Sequence, residues 1–75
     1  MTEQPGKTVA APMAGSVHQI LVSQGASIGR GDELVVLESM KMEIPVEAPV
    51  AGTVSQILVT VGQKVAEGDA LMVIS

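Results

Sequence analysis

The chain has 75 residues, a formal net charge of −4 at pH 7 and no cysteine or aromatic residue. A chain of this length forms one small domain, and without cysteine it has neither a disulfide framework nor a thiol nucleophile. Its four basic residues are scattered, which argues against binding to nucleic acid or to an anionic membrane. No segment resembles a signal peptide or is long enough to cross a bilayer, so we expect a cytoplasmic protein.

Five short apolar runs follow one another along the chain, each bounded by Gly, Ser, Asp or Pro. They are rich in Val, Ile and Leu, which pack well on a pleated sheet, and no window sustains the helical period of about 3.6 residues. In chain order the runs are residues 16–22, 33–39, 42–47, 53–59 and 70–74. The sequence therefore predicts an all-β domain.

The chain repeats itself. Residues 11–38 align with residues 48–75 at a constant offset of 37 without a gap, and half of the 28 pairs are identical. One half has about four short strands and too little core of its own, so we expect the two halves to pack around a quasi-twofold axis. The predicted fold is a flattened eight-stranded barrel or sandwich, a barrel-sandwich hybrid of two four-strand halves.

Glycine recurs at three equivalent points of each half. The aligned pairs are Gly15 with Gly52, Gly25 with Gly62, and Gly31 with Gly68. We predict that the backbone at these points takes positive φ or passes close to a neighbouring strand. Two polar residues also interrupt a strand at equivalent points, His18-Gln19 and Ser55-Gln56, which predicts a β-bulge in each half.

The segment between the two halves contains an unusual lysine. Because the equivalent segment of the second half would lie beyond Ser75, twofold symmetry places Lys41 at one end of the domain and the termini at the other. The flanking strands leave about two to four residues for a tight hairpin turn. Met40 and Met42 would be exposed there, and an exposed, flexible apolar pair is suited to recognition by a partner.

The tripeptide Met40-Lys41-Met42, at the junction of two superposable halves, resembles the biotinyl domain of biotin carboxyl carrier proteins. The resemblance covers about residues 9–75. It implies that Lys41 accepts biotin through its ε-amino group from a biotin protein ligase that uses biotinyl-adenylate. Met40 and Met42 match the family's flanking methionines, which the ligase recognises. Ser39 replaces the more usual alanine, a small residue that should fit but can alter how a ligase reads the turn.

The resemblance also implies a carrier without catalytic residues, a subunit or domain of a multi-component ATP-dependent carboxylase. Biotin on Lys41 would receive carboxylate at a biotin carboxylase site and deliver it at a carboxyltransferase site. We expect an acyl-CoA carboxylase, such as the acetyl-CoA carboxylase of fatty acid biosynthesis, although the acceptor is chosen by the carboxyltransferase and is not encoded in these residues. A mobile carrier gains nothing from a tight dimer, so we expect a monomer.

Two other functions stay open. A lipoyl carrier domain shares the fold and also modifies a hairpin lysine, but it typically has Asp before the lysine and Ala or Val after it. An unmodified assembly module of the same fold has no reason to keep a Met-Lys-Met tip. The flanking methionines therefore favour biotin attachment over both.

The remaining polar residues give little support to catalysis or metal binding. His18 is the only histidine and has no base or nucleophile partner evident in the sequence, so we predict a surface position. Asp32 and Asp69 repeat in glycine turns, where Asp is a common turn former, and one His without Cys does not suggest a metal site. Glu38 and Glu43 either orient the hairpin for a ligase or merely solvate it.

Two boundaries complete the prediction. Residues 1–8 are expected to form a short N-terminal arm and residues 9–75 the biotinyl domain. Some bacterial carriers of this family have a thumb-like insertion in the first half, but the gapless alignment of the halves predicts a thumbless domain.

Overall fold

The structure is a computed structural model that describes residues 6–75. Within that range the chain forms eight β-strands and no helix. In chain order the strands are β1 (Lys7–Ala10), β2 (Gly15–Ile20), β3 (Ser27–Ile28), β4 (Glu33–Ser39), β5 (Met42–Glu47), β6 (Gly52–Ile57), β7 (Lys64–Val65) and β8 (Ala70–Ile74). Five of them coincide with the predicted apolar runs to within two residues at either end. The prediction of an all-β domain is confirmed.

The strands form two antiparallel sheets of four strands each. One sheet has the order β1-β8-β6-β3, and the other has the order β5-β4-β2-β7. The sequence repeat relates β1 to β5, β2 to β6, β3 to β7 and β4 to β8, so it converts the first order into the second. Each sheet therefore takes two strands from each half of the chain. This arrangement confirms the quasi-twofold sandwich that the repeat predicts.

The core between the sheets is apolar. Among residues 6–75, no polar or charged side chain is buried. The largest fully buried side chains include Leu34 with its equivalent Leu71, Leu37 with its equivalent Ile74, and Met72. Burying an aliphatic side chain of this size stabilises a fold by about 1.5–3 kcal/mol, so these few residues supply much of the stability of so small a domain.

Each half contains a β-bulge at the predicted polar pair. The register of β2 with β4 shifts at His18, and the register of β6 with β8 shifts at Ser55. The extra residue of a bulge lets the strand bend and increases its twist. At the second bulge the Ser55 hydroxyl donates a hydrogen bond of 3.1 Å to the carbonyl oxygen of Val73. The predicted bulges are confirmed.

The repeated glycines serve two different purposes. Gly25, Gly31 and their equivalents have φ between 89° and 94°, the left-handed region in which a Cβ is unfavourable. Gly15 lies instead against a neighbouring strand, since a Cβ on it would be 2.7 Å from the carbonyl oxygen of Glu38. Gly52 is equally confined. Both parts of the glycine prediction are confirmed.

Asp32 and Asp69 close equivalent turns. The carboxylate of Asp32 accepts a hydrogen bond of 2.8 Å from the backbone N–H of Gly29, and the carboxylate of Asp69 accepts one of 2.8 Å from Ala66. Such bonds from an Asp side chain to nearby backbone stabilise turns. The predicted role of both residues as turn formers is confirmed.

The β4–β5 connection lies at one end of the sandwich, and the start of β1 and the end of β8 lie at the other. Gly15 contacts the end of β4, so the loop that precedes β2 lies beside the β4–β5 turn. In that loop, Ala11 donates its N–H to the carbonyl oxygen of Asp69 at 2.8 Å, just before β8 begins. β8 runs from there to the far end, where Ile74 pairs with Lys7. This placement agrees with the expectation from twofold symmetry.

The two predicted boundaries relate to the strands as follows. Residue 8 falls inside β1, whose Lys7 and Thr8 pair with β8, while residues 1–5 of the expected arm lie outside the described range.

The β2–β3 connection, residues 21–26, is as long as the β6–β7 connection, residues 58–63. Between residues 6 and 75 the chain has no helix long and apolar enough to cross a membrane.

Candidate functional site

Lys41 lies in the two-residue turn between β4 and β5. Ser39 pairs with Met42 across the hairpin, so only Met40 and Lys41 lie outside the strand ladder. Their φ angles are 53° and 66°. Two successive positive φ values define a type I′ turn, whose twist matches that of the flanking strands. The predicted tight hairpin is therefore confirmed, with the shortest length that the prediction allowed.

The residues of this turn do not favour its geometry. Type I′ turns are usually formed by Asn-Gly or Gly-Gly, whereas a residue with a Cβ in the left-handed region costs roughly 1–2 kcal/mol. The hairpin below the turn compensates for that cost, because Leu37 of β4 is fully buried and pairs with Ile44 of β5. Strained backbone that is held in place by well-packed neighbours is typical of functional sites.

The side chains at the turn extend into solvent. Met40 is 91% exposed and Met42 is 63% exposed, so neither contributes much to the core. Lys41 is also exposed, and within residues 6–75 its amino group has no hydrogen bond or ion pair. The turn therefore presents a free primary amine between two accessible thioether side chains.

Ser39 occupies a position that favours a small side chain. It is half-buried at the end of β4. A Cβ built on Gly15 would lie 3.5 Å from the Ser39 Cβ, which shows how closely β2 approaches β4 at this point. A serine adds one hydroxyl oxygen to the side chain of alanine, and Ser39 pairs with Met42 at the end of the strand ladder.

Glu38 and Glu43 face each other directly below the turn. They form a cross-strand pair, and both are exposed. Like charges directly opposite each other in a sheet are destabilising, although solvent screens the repulsion at this exposed site. The structure therefore brings two carboxylates together within a few residues of Lys41.

Glu43 has a second neighbour that the sequence did not reveal. Its Oε2 atom lies 3.5 Å from Nε2 of His18, with the two side chains 65% and 43% exposed. A polar contact this exposed contributes little to stability. The surface position predicted for His18 is confirmed, but its contact was missed because β2 and β5 are separated by β4. Only the order of strands in the sheet could have suggested it.

The described residues contain no other arrangement suited to chemistry. From residue 6 onward, no three His, Asp or Glu side chains are grouped so as to hold a metal ion. The same range has no buried ionisable side chain whose environment would adapt it to acid or base catalysis. The candidate site thus consists of the β4–β5 turn and the residues that flank it.

Comparisons with known proteins give consistent matches to this chain. A sequence model of the family described as "Biotin-requiring enzyme" matches residues 7–74. The "Biotinylated protein TB7.3 homolog" of Mycobacterium leprae is 60% identical over 38 residues, which are 51% of this chain and 54% of that protein. The "Biotin-dependent acyl-coenzyme A carboxylase alpha3 subunit" of the same organism is 51% identical over 41 residues, 55% of this chain and 7% of that protein.

The fold also matches a solved structure over its full length. A single-chain, multi-domain long-chain acyl-CoA carboxylase contains a region that superposes with a TM-score of 0.90 and 37% sequence identity. The match covers 100% of this chain and 8% of that one. The matched segments thus span about half the length of the first relative and a small part of the two carboxylase chains.

Proposed function

The chain belongs to the biotin-requiring enzyme family, its residues 7–74 form a biotinyl domain, and on that premise we propose that biotin is attached to Lys41. Covalently bound biotin is the cofactor of this family. The observation that carries the proposal is the type I′ turn, which holds the exposed Lys41 between two exposed methionines.

The residues of the turn fit the attachment of biotin. An amide bond between the carboxyl group of biotin and a lysine requires an amine that a ligase can reach and deprotonate. Lys41 satisfies this requirement because its side chain is exposed and has no partner among residues 6–75 that would have to be displaced. Acylation would neutralise the amine without burying a charge. When bound, biotin would supply a ring nitrogen that takes up and releases carboxylate.

The neighbours of Lys41 would act in recognition rather than in chemistry. Met40 and Met42 offer flexible apolar surface on both sides of the amine, which a biotin protein ligase can grip. Ser39 keeps the hairpin close to β2. Glu38 and Glu43 add negative charge below the turn. We propose that these two carboxylates orient the hairpin on the ligase.

We further propose that the domain carries carboxylate between a biotin carboxylase and a carboxyltransferase of an acyl-CoA carboxylase. The lysine side chain and the biotin acyl chain span roughly ten bonds, on the order of 12 Å, so longer distances require the whole domain to move. Weak binding at each site, combined with a high effective concentration inside a complex, suits that movement. A non-catalytic, monomeric carrier in the cytoplasm is the form that we expect.

The test is a reaction of the purified protein with biotin, ATP and a biotin protein ligase. We expect intact mass spectrometry to show the addition of one biotinyl group, and fragmentation to locate it on Lys41. Lys41→Arg should abolish the addition while the variant keeps its circular dichroism spectrum. Lys64→Arg is the matched control, since Lys64 is also exposed but lies within β7 and not in a turn.

Other results of this experiment would contradict the proposal. Addition of biotin to the Lys41→Arg variant would show that another amine is the acceptor. Failure of the unsubstituted protein to react, with a ligase that is active on a control substrate, would exclude it as a biotin acceptor for that ligase. Acylation by a lipoate ligase alone would then favour the lipoyl carrier.

A further inference from the structure

The methionines of the domain fall into two groups by their exposure. Met40 is 91% exposed and Met42 is 63% exposed, whereas Met72 is 0% exposed and Met13 is half-buried. A thioether reacts with a dissolved oxidant only where solvent can reach its sulfur. The two most exposed of these four side chains are the ones that flank the proposed attachment lysine.

Their positions in the fold explain this difference. Met40 is the first residue of the type I′ turn, where no strand covers it. Met42 is the first residue of β5, and its cross-strand partner is Ser39, whose side chain is too small to cover it. Met72 lies in the middle of β8, with Val9 of β1 on one side and Ile57 of β6 on the other.

We propose that Met40 and Met42 are sites of reversible oxidation by hydroperoxides, and that a sulfoxide at either position stops the acceptance of biotin at Lys41. In the reaction with hydrogen peroxide the sulfur lone pair attacks one peroxide oxygen, and the S–O bond forms as the O–O bond breaks. The departing hydroxide takes the proton of the transferred hydroxyl group and leaves as water; an organic hydroperoxide leaves as the alcohol in the same way. Sulfur is oxidised by two electrons and the peroxide is reduced by two. The proposal rests on the proposed function, since it concerns recognition of the same turn.

The expected consequence is a loss of recognition and not a loss of folding. Oxidation converts a flexible apolar side chain into a polar one, and a ligase surface that buries the thioether would have to bury the sulfoxide without a matched partner. The exposed side chains of Met40 and Met42 contribute little packing to the core. The same chemistry at Met72 would disrupt the core, but burial protects its sulfur.

The experiment treats the unmodified full chain with dilute hydrogen peroxide and follows each methionine by peptide mapping. We expect Met40 and Met42 to be oxidised well before Met72. We also expect kcat/KM for biotin addition by the ligase to fall by roughly tenfold or more, because burying an unpaired polar group is unfavourable. Methionine sulfoxide reductases supplied with a thiol as the electron donor should restore the original rate, and the circular dichroism spectrum should not change at any stage.

The double variant Met40→Leu/Met42→Leu is the control, and its rate after peroxide is compared with its own untreated rate. We expect that ratio to be close to one, whatever the untreated rate is. The inference is overturned if protein mapped as sulfoxide at both positions accepts biotin at the untreated rate, or if the double variant loses activity on oxidation as the original chain does. If untreated protein accepts no biotin at Lys41, the proposed function fails and this inference fails with it.

Discussion

The β4–β5 pair and the β8–β1 pair occupy equivalent places in the two halves, but only the first is closed by a turn. In β4–β5, Leu37 pairs with Ile44, and the equivalent pair in β8–β1 is Ile74 with Lys7. The strands, bulges, glycine turns and aspartate turns follow the repeat throughout. Within residues 6–75, no other connection repeats the Met40-Lys41 turn.

This difference separates two kinds of residue. The residues that recur in both halves form the frame of the domain. Each half uses them in equivalent strands, bulges and turns. The turn occurs once among the described residues, has an unfavourable backbone conformation and exposes the side chains of Met40 and Met42. Because a strained backbone reduces stability, the restriction of positive φ at non-glycine residues to this one turn within residues 6–75 supports its proposed role in modification. Substitutions in the frame and substitutions in the turn therefore test this difference separately.

The largest effects are expected in the core. Leu34→Ala and Leu71→Ala remove equivalent side chains that are 0% exposed, and each should lower the free energy of unfolding by about 3 kcal/mol. Because the chain has no aromatic residue, urea unfolding should be followed by far-UV circular dichroism. Nearly equal losses would support the equivalence of the two halves. If the losses of the two variants differed by more than about half of the larger one, one half would contribute more to stability than the other.

Two glycines of the first half should differ in their response to alanine. At Gly15 the new Cβ would lie 2.7 Å from the carbonyl oxygen of Glu38, so the strands must separate at a cost of about 2 kcal/mol. At Gly25 the space is open but φ is 92°, and the expected cost is about 1 kcal/mol. Because β4 carries the turn, Gly15→Ala should also slow biotin addition, whereas Gly25→Ala should not. Equal rates of addition in the two variants would contradict this.

Replacing the turn by Asn-Gly should increase stability while removing the function. Met40→Asn/Lys41→Gly supplies the residues that a type I′ turn favours, and we expect a gain of about 0.5–1 kcal/mol in the free energy of unfolding together with complete loss of biotin addition. Gln24→Asn is the control, because Gln24 precedes a glycine in a turn but does not have positive φ. A double variant no more stable than the original chain would mean that the native turn is not strained.

Much of the frame could be predicted from the sequence because each feature appears twice. The offset of 37 residues aligns Gly25 with Gly62 and Asp32 with Asp69. Any structure predicted for one residue of a pair therefore had to fit its equivalent as well. The alternation of apolar runs and turn residues predicted the strands. The pair of polar residues within one strand of each half predicted the bulges. The Lys41 hairpin could be predicted because two strands left so few residues between them.

Other features could not be predicted, for two physical reasons. The exchange of strands between the sheets depends on long-range pairing, which local patterns do not encode. The contact of His18 with Glu43 follows from that strand order, so it was missed as well. The type I′ conformation of Met40 and Lys41 was missed because neither residue favours positive φ. Tertiary packing of the hairpin imposes that conformation against local preference.

The smallest effect is expected at the one bulge residue that differs between the halves. His18→Ser makes the first bulge identical to the second, where Ser55 bonds only to the backbone, and removes the contact with Glu43. Because that pair is exposed, the free energy of unfolding should change by less than about 0.5 kcal/mol, and biotin addition should stay within about twofold. If His18→Ser kept full stability but lost biotin addition more than tenfold, the histidine would be needed to position Glu43 for the ligase, and the functional asymmetry would extend from the turn into the bulge.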